Sequence, residues 1–378
     1  MSASVIYVSD SINQIVDIPT TFKKPREDQF QGTPLEKLTE VACRICYDSM
    51  GLKRSRNSLD LHHHIQDAPN LSVYEHANVV IELPSHLPEM LYKVLLNRKG
   101  VYTELWSHGR VRIAANARAI LEWKKYNKQS LPITELEDYK RVSMGLENTL
   151  LDALKAKMPN ALARKAFYDD FRYHYDLPTK LSPEQRFISV WIYGSRGLTH
   201  EQVRHRFAIS QRSTRFVDEL PPNTDDIKQF NEYYGCSGEY VWHPDLLGYL
   251  ADPDVPDSLR TILKEVLVSA RQRDRLAYDV VIQHLQPYYI KKGREELDAR
   301  KQARGAARGS LGNALASEMI FTASEADWEN MLHQRGSLLA DAEIRETYVD
   351  LWNTLKDNVS FVFNVKTDDQ GRRYLQAA

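Results

Sequence analysis

The chain has 378 residues, 42% of them hydrophobic and 27% charged, which is the composition of a globular protein with a substantial core. The 50 basic residues are balanced by 51 acidic ones, which argues against a general nucleic-acid binder. No apolar run is long enough to span a bilayer, and residues 1–10 lack a secretory signal, so we expect a cytoplasmic protein with no membrane partner.

Hydrophobic spacing predicts a chain of mixed helices and strands. In chain order, we expect a helix at 35–49, a strand at 71–83, a charge-rich and mostly helical stretch at 84–185, and a second strand at 186–195. After an arginine-dense segment at 200–216, the remainder predicts helices at 259–285, 295–308, 325–335 and 340–355. No repeat period is visible, and strands mixed with long helices predict an α+β fold.

The three cysteines predict neither a disulfide framework nor a metal centre. Cys43 and Cys46 form a C-x-x-C pair, but there is no second pair, and Cys236 is remote in sequence. A structural zinc ion normally takes four ligands, so we expect no metal site. Residues i and i+3 of a helix share a face, so two small buried residues are the favoured interpretation. A redox or metal role is the minor alternative.

The segment 204–216, which lies shortly after the second predicted strand, has the highest density of candidate ligand-binding side chains. It contains four arginines, a histidine and hydroxyl side chains. Guanidinium groups bind phosphate bidentately, and hydroxyls with free backbone N–H groups complete an anion cradle. The segment therefore predicts an anion-binding site near the end of a strand. The alternative is a solvated basic face.

This segment resembles a known signature. Arg204-His205-Arg206, followed by Ser213 and then Arg215-Phe216, is similar to the R-H-R…S-x-R-[YF] pattern of the flavin-dependent thymidylate synthases. Four other segments fall in that family's order: 42–49 (ACRICYDS), 72–76 (SVYEH), 306–312 (AARGSLG) and 328–345. The resemblance implies one α+β catalytic domain over residues 1–378, with a mixed or antiparallel sheet, long flanking helices and a mostly helical insertion at 85–185.

The resemblance also implies an activity. Members of the family bind FAD and use NADPH to transfer a one-carbon unit from methylenetetrahydrofolate to C5 of dUMP, giving dTMP. The implied assembly is a homotetramer with active sites shared between subunits. One alternative is a diverged enzyme that makes another 5-substituted pyrimidine deoxynucleotide, such as hydroxymethylated dUMP or dCMP. Another is a non-catalytic nucleic-acid binder, against which the neutral net charge argues.

Site residues are carried over position by position from the resemblance. The implied catalytic arginines are Arg204, Arg308 and Arg335. The implied flavin-binding residues are Ser72, Glu75, Arg204, His205, Arg206 and Asn330. The implied nucleotide-binding residues are Glu201, Gln211, Arg212, Ser213, Arg215, Arg308 and Arg335. For Glu75 and His76, a structural hydrogen bond near a strand is the alternative interpretation.

One departure from the family pattern leads to a hypothesis about the insertion. Ser324 and Ala326 occupy the positions where the family has N-x-R on a late helix. Inside the insertion, Asn116-Ala117-Arg118 resembles that missing segment, and its amide and guanidinium suit a flavin's ring edge and phosphates. We therefore expect Asn116 and Arg118 to bind the cofactor. Alternatively, Asn116 caps a helix and Arg118 is solvated.

Overall fold

The structure is a computed structural model of the chain, and it describes residues 2–8, 26–32, 34–51, 55–67, 71–83, 101–105, 111–119, 172–173, 181–217 and 240–378. Within these ranges the helices are α1 Pro34–Tyr47, α2 Ser58–Asp67, α3 Arg196–Gln202, α4 Pro244–Ala251, α5 Asp257–Lys291, α6 Glu296–Ala307, α7 Glu325–Arg335 and α8 Ala342–Leu355. The strands are β1 Ser2–Val8, β2 Asn78–Leu83, β3 Val101–Leu105, β4 Val111–Asn116, β5 Arg172–Tyr173, β6 Phe187–Ser195, β7 Ala208–Gln211, β8 Ala316–Ser324, β9 Phe363–Thr367 and β10 Arg373–Ala377. Short 3-10 turns span Leu71–Glu75, Val203–His205, Arg308–Ser310 and Lys356–Asn358.

The described strands form two four-stranded sheets and one hairpin. One sheet has the order β1-β6-β8-β7, the other has the order β3-β4-β2-β5, and β9 pairs with β10. Neighbouring strands run antiparallel in all three. Antiparallel sheets with separate helices confirm the predicted α+β class.

The main core lies where the sheet of β6 and β8 packs against the late helices. Ile188 and Val190 of β6 meet Phe321 of β8 and Trp328 of α7 in one buried cluster. The indole Nε1 of Trp328 donates to the backbone oxygen of Ile188 at 3.0 Å, so the largest core side chain also has its polar atom satisfied. This cluster anchors α7, which carries Arg335 at its end.

The predicted helices of the second half of the chain are confirmed within a few residues, but the prediction that this part is helical throughout is wrong. Residues Ala316–Ser324 form β8, one of the two inner strands of the main sheet. Nearly every residue of β8 is buried, so the strand shows no alternation of polar and apolar side chains. The residues from Phe363 to Ala377 also form a strand hairpin.

The predicted strand at 71–83 is wrong over its first half. Leu71–Glu75 is a 3-10 turn, and β2 begins only at Asn78. The turn is held by burial, because Tyr74 is buried and its hydroxyl lies 3.2 Å from Nδ1 of His62 on α2. Aromatic and β-branched side chains here serve packing between elements, not strand pairing.

The described part of the predicted helical insertion contains strands. β3, β4 and β5 all lie between residues 84 and 185, and only residues 117–119 there are helical among those described. The rest of the insertion, and Cys236, lie outside the described residues. Cys43 and Cys46 are free thiols on α1. Cys43 is buried and Cys46 is half-buried, so the interpretation of two buried residues is confirmed for Cys43 only. No described helix combines the length and apolarity needed to cross a membrane.

Candidate active site

The R-H-R segment is a tight turn after α3. The side chain of Ser195 caps α3 by accepting from Leu198 N at 3.0 Å, and the same hydroxyl donates to Glu343 at 2.6 Å. The helix then tightens into the 3-10 turn Val203–His205, and Arg206 follows with φ 60° and ψ 30°. A left-handed conformation is uncommon for a residue other than glycine. It reverses the chain, so neighbouring side chains of the turn point in different directions.

Arg204 lines a first cavity of about 510 Å³. The cavity lies between α3, the start of α8 and the segment around Tyr240, and its polar lining includes Glu201, His243 and Asp341. His243 contacts Asp341 at 3.0 Å through Nε2. The sequence motifs had not indicated His243, because the polar groups of this cavity come from segments far apart in the chain.

His205 points to Arg335 at the end of α7. Nε of Arg335 donates to Nε2 of His205 at 3.1 Å, and NH1 of Arg335 lies 2.9 Å from Oε2 of Glu201. Burial, followed by the positive charge of Arg335, lowers the pKa of His205. His205 is therefore neutral and can accept this hydrogen bond. One arginine from a late helix thus holds two residues of the R-H-R region in place.

Arg206 lines a second cavity, of about 540 Å³. Glu75, Asn116 and Arg118 line the same cavity, together with Ser324 and further residues. Asn116 and Arg118 thus share a cavity with the R-H-R segment, as the hypothesis that they bind the cofactor requires. Ala326, which stands where the resemblance implies an arginine, lines this cavity too.

The alternative account of Asn116 is also partly confirmed. Oδ1 of Asn116 accepts from Ala119 N at 2.8 Å, which is the geometry of a helix cap. Arg118 is not simply solvated, because NH1 contacts Oε1 of Glu75 at 2.5 Å and its side chain is 37% exposed. The cap uses one oxygen, and the amide group of Asn116 remains on the cavity wall.

A third group of predicted residues collects near the start of the segment after β7. Ser213 N donates to Cys46 O at 2.9 Å, which fixes the loop against α1. The Ser213 hydroxyl accepts from Arg215 N at 3.4 Å, and NH1 of Arg308 lies 3.5 Å from Thr214 Oγ1. Arg215 and Arg308 are both exposed, and the Ser213 side chain of this group is half-buried. This arrangement suits an anion such as a phosphate.

Four predicted site residues lie elsewhere or serve packing. Ser72 and Asn330 line neither cavity, and Nδ2 of Asn330 donates to Ala326 O within α7. Nε2 of Gln211 donates to Thr199 Oγ1 at 2.6 Å, and Arg212 is buried. Roles for these four residues in ligand binding stay predictions.

His76 and Glu75, adjacent in sequence, have different roles. Glu75 lies on the second cavity and holds Arg118. The His76 ring is fully buried and lies 2.8 Å from Thr322 Oγ1 and 2.9 Å from Ser210 Oγ. Burial lowers the pKa of His76 to about 3, so the ring is neutral. The structural interpretation is therefore confirmed for His76.

Comparison with known proteins agrees with this geometry. Residues 184–359 match the family model described as thymidylate synthase complementing protein. The flavin-dependent thymidylate synthase of Mycobacterium avium is 30% identical over 188 residues, and that of Corynebacterium diphtheriae is 33% identical over 186 residues. Over residues 184–359 the chain is therefore similar to the flavin-dependent thymidylate synthases.

The similarity is partial in extent. Each of these two alignments covers 48% of this chain and 62% of the relative, so the chain spans about three fifths of the length of the synthases it matches. A thymidylate synthase X from Helicobacter pylori, solved with FAD and dUMP, aligns with a TM-score of 0.27 and 17% identity over 46% of this chain and 68% of that one. This score is too low for the overlap to bear on the fold.

The region that matches the synthase family model contains the R-H-R turn, the Ser213 loop, Arg308 and Arg335. Glu75, Asn116 and Arg118 all precede residue 184 and lie outside it. The second cavity therefore joins residues from inside and outside the matched region.

Proposed function

We propose that this protein is a flavin-dependent enzyme that transfers a one-carbon unit from methylenetetrahydrofolate to C5 of dUMP, giving dTMP, with NADPH as reductant. One observation carries the proposal: the R-H-R turn sends Arg204 to one cavity and Arg206 to another, with His205 held between them by Arg335. Two cavities, each lined by one arginine of the same turn, suit an enzyme that must bring a dinucleotide cofactor and a nucleotide substrate together.

The second cavity fits part of a flavin dinucleotide. Its volume of about 540 Å³ is in the range of pockets that enclose organic ligands. Its wall offers the Asn116 amide, the Arg118 guanidinium and the exposed Arg206 guanidinium, which suit the polar edge of the flavin ring and a diphosphate. When bound, the flavin would supply the transfer of reducing equivalents, and the protein would supply binding and orientation.

The remaining arginines would bind the nucleotide. Arg204 and Glu201 face the first cavity, and Arg335 holds the Glu201 carboxylate. The group of Ser213, Arg215 and Arg308 offers a separate phosphate cradle. We propose that the protein assembles as a homotetramer, in which a cradle exposed on one subunit can serve the nucleotide of a neighbour.

The described cysteines support chemistry without a thiolate nucleophile. Burial raises the pKa of Cys43 well above its ordinary range and that of Cys46 to about 11. Both thiols are therefore protonated at neutral pH, and a protonated thiol is a poor nucleophile. Among the described residues, the arginines that converge on the R-H-R turn are then the candidates for activating the pyrimidine ring.

The visible spectrum of the purified protein tests the cofactor, and product analysis tests the reaction. We expect a flavin spectrum, and formation of dTMP from dUMP, methylenetetrahydrofolate and NADPH, identified by mass. A hydroxymethylated product, or turnover of dCMP in place of dUMP, would overturn the assigned reaction while retaining a flavoenzyme. A colourless protein that takes up no FAD would overturn the proposed function as a whole.

A further inference from the structure

The two four-stranded sheets have the same strand order and direction. In the first, edge strand β3 is followed by β4, β2 and β5, and in the second, edge strand β7 is followed by β8, β6 and β1. Along the chain, each sheet uses a first strand, then the edge strand, then the return strand between them. We call residues 71–119 the first repeat and residues 181–327 the second repeat.

The register of the two repeats matches residue by residue at their strand ends. The first residue of β2, Asn78, pairs with the last residue of β4, Asn116. The first residue of β6, Phe187, pairs with the last residue of β8, Ser324. One step further out, Ala117 N donates to Ala77 O at 2.8 Å, and in the second repeat Glu325 N donates to Arg186 O at 2.7 Å.

The junction between return strand and helix is also built the same way twice. Asn116 accepts through its side chain from the backbone N–H three residues later, at 2.8 Å. Ser324 does the same, at 3.2 Å. By this register Asn116 corresponds to Ser324, and Arg118 corresponds to Ala326. The sequence had led to the same correspondence, because Asn116-Ala117-Arg118 resembles the N-x-R segment that the resemblance implies at Ser324 and Ala326.

The second cavity lies between the two repeats and is lined by equivalent positions of both. All six of its lining residues from the first repeat have their counterparts on the wall as well. By the register of the strands, four of these pairs are Glu75 with Glu184, Asn78 with Phe187, Asn116 with Ser324, and Arg118 with Ala326. The other two are Ala114 with Thr322 and Ala119 with Asp327. Such reciprocity is the property of a surface on a twofold axis.

Contacts across the cavity join the repeats to each other. His76 of the first repeat places its ring between Thr322 and Ser210 of the second. Leu181 and Phe187 of the second repeat pack with Val80 and Ala114 of the first. In both directions, the segment at the start of one repeat packs against the sheet of the other. Edge strands are exchanged too. β1 precedes the first repeat but pairs with β6 of the second, and β5 precedes the second repeat but pairs with β2 of the first.

We propose that the chain is an internal duplication whose two repeats pair around an approximate twofold axis, and that the cavity on this axis is one composite ligand site. The first repeat supplies Asn116 and Arg118, with Glu75 as a positioning residue for Arg118, and the second supplies Arg206. The ligand class is a phosphate-bearing aromatic cofactor, the flavin dinucleotide, so this assignment rests on the proposed function.

Each repeat lacks what the other provides. The second repeat has Ser324 and Ala326 where the first has Asn116 and Arg118, so it lacks the amide and the guanidinium. The pairing of Tyr102 with Ala114 and of Ala208 with Thr322 makes these two edge-strand residues equivalent. Counting two residues back in the sequence from each, Arg206 corresponds to Gly100, which lies outside the described residues. Each chain therefore has one complete set of these ligand-binding groups, where two complete repeats would give two sets.

The duplication leaves no visible period in the sequence for a physical reason. Helices α5 and α6 lie between the edge strand and the return strand of the second repeat, whereas a short segment joins β3 to β4 in the first. The offset between equivalent positions therefore changes from strand to strand. Burial in a sheet also requires a hydrophobic side chain at a position more than it requires one particular residue type. On the cavity wall, the equivalent positions Glu75 and Glu184 carry the same residue.

FAD titration into the apoprotein tests the composite site. We expect one FAD per chain, with affinity lowered about tenfold or more in Arg118→Ala and in Arg206→Ala, since each removes a charge-assisted partner. Ala326→Arg, which adds the counterpart arginine in the other repeat, should create no second site. Arg273→Ala, at an exposed arginine of α5, is the control. Unchanged affinity in Arg118→Ala, or two FAD molecules per chain, would overturn the proposal.

Co-expression tests whether both arginines act from one chain. When Arg118→Ala and Arg206→Ala chains are produced together, an intrachain site stays broken in every copy, so flavin content should remain as low as in either variant alone. Recovery of flavin in the mixed assembly would show that the two arginines act from different chains and would overturn the intrachain site.

Failure of the proposed function is distinguishable from failure of this inference. If the wild-type protein takes up no flavin, the proposed function fails, and inorganic pyrophosphate becomes the probe. A rise in melting temperature with pyrophosphate that is lost in both Arg118→Ala and Arg206→Ala keeps the composite anion site. A rise that persists in either variant, or no rise in the wild type, overturns it.

Discussion

Two regions line the second cavity, the R-H-R turn at 204–206 and the strand-to-helix junction at 116–119. The turn belongs to the part of the chain that matches the family model, and the junction lies outside it. The junction has the same backbone construction as its counterpart at 324–327 but carries different side chains. Helix capping can therefore be the same at two junctions while an amide and a guanidinium are present at only one of them.

The largest effect is expected where the turn depends on another element. Arg335→Ala removes both the hydrogen bond to His205 and the ion pair with Glu201. We expect turnover of dUMP to fall roughly 100- to 1,000-fold, the usual loss for a positioned cationic or polar group at a reacting centre. Arg335→Lys should not restore it, because an ammonium cannot reproduce the two-pronged geometry.

An NMR titration separates this role of Arg335 from a general loss of fold. Removing the neighbouring positive charge should raise the pKa of His205 toward its ordinary value, because Arg335 is one of the two causes that lower it. Gln334→Ala, one residue earlier on the exposed side of α7, should change neither turnover nor this titration. An unaltered His205 titration in Arg335→Ala would contradict the contact.

The next effect concerns the contact that joins the two repeats. His76→Ala leaves the Thr322 and Ser210 hydroxyls without their buried partner and opens a space, so we expect a loss of about 2–4 kcal/mol in the free energy of unfolding. Chemical denaturation measures it. His64→Ala, at an exposed histidine of α2, should cost within about 0.5 kcal/mol. Equal losses in the two variants would show that His76 does not join the repeats.

The same histidine predicts a dependence of stability on pH. The pKa of His76 is lowered by burial from 6.5 to about 3, so below pH 6.5 the unfolded chain binds a proton that the folded protein excludes. Its contribution is present above pH 6.5 and is lost as the pH falls toward 3. His76→Gln carries the residue of the equivalent position, Gln185, and should flatten this part of the profile. If the free energy of unfolding of His76→Gln falls with pH as steeply as that of the wild type, other groups cause the pH dependence.

A smaller effect is expected at the nucleotide cradle. Arg308→Lys keeps the charge beside Thr214 but loses the planar fork, so the affinity for dUMP measured by calorimetry should fall about tenfold while FAD retention is unchanged. Arg300→Lys, an exposed substitution on α6, is the matched control. Wild-type affinity in Arg308→Lys would show that the arginine does not bind the phosphate or the base.

The smallest effect compares the two junctions directly. Asn116→Ser converts the first junction to the residue of its counterpart, Ser324, and serine caps a helix about as well as asparagine. The free energy of unfolding should therefore change by less than about 0.5 kcal/mol, while FAD affinity falls because the amide is lost. Ser324→Asn is the reverse control. If Asn116→Ser leaves FAD affinity unchanged, Asn116 is a helix cap and nothing more.

Local patterns in the sequence were sufficient for the helices and for the anion-binding segment. The spacing at 325–335 predicted α7 with its observed bounds, because an amphipathic helix shows its packing face in the order of its own residues. The R-H-R segment was equally visible, since all its groups lie within a few positions. The buried strand β8 was missed because burial on both sides removes the alternation that would have revealed it.

Only the tertiary structure decided which of these groups meet. The sequence places Arg204 and Arg206 two residues apart, but the left-handed backbone at Arg206 sends them to different cavities. It places Arg118 far from Arg206, and packing between the two sheets brings both to one cavity wall. Sequence patterns report the local periods of single elements, whereas the meeting of two elements depends on register and packing between segments that are distant in the chain.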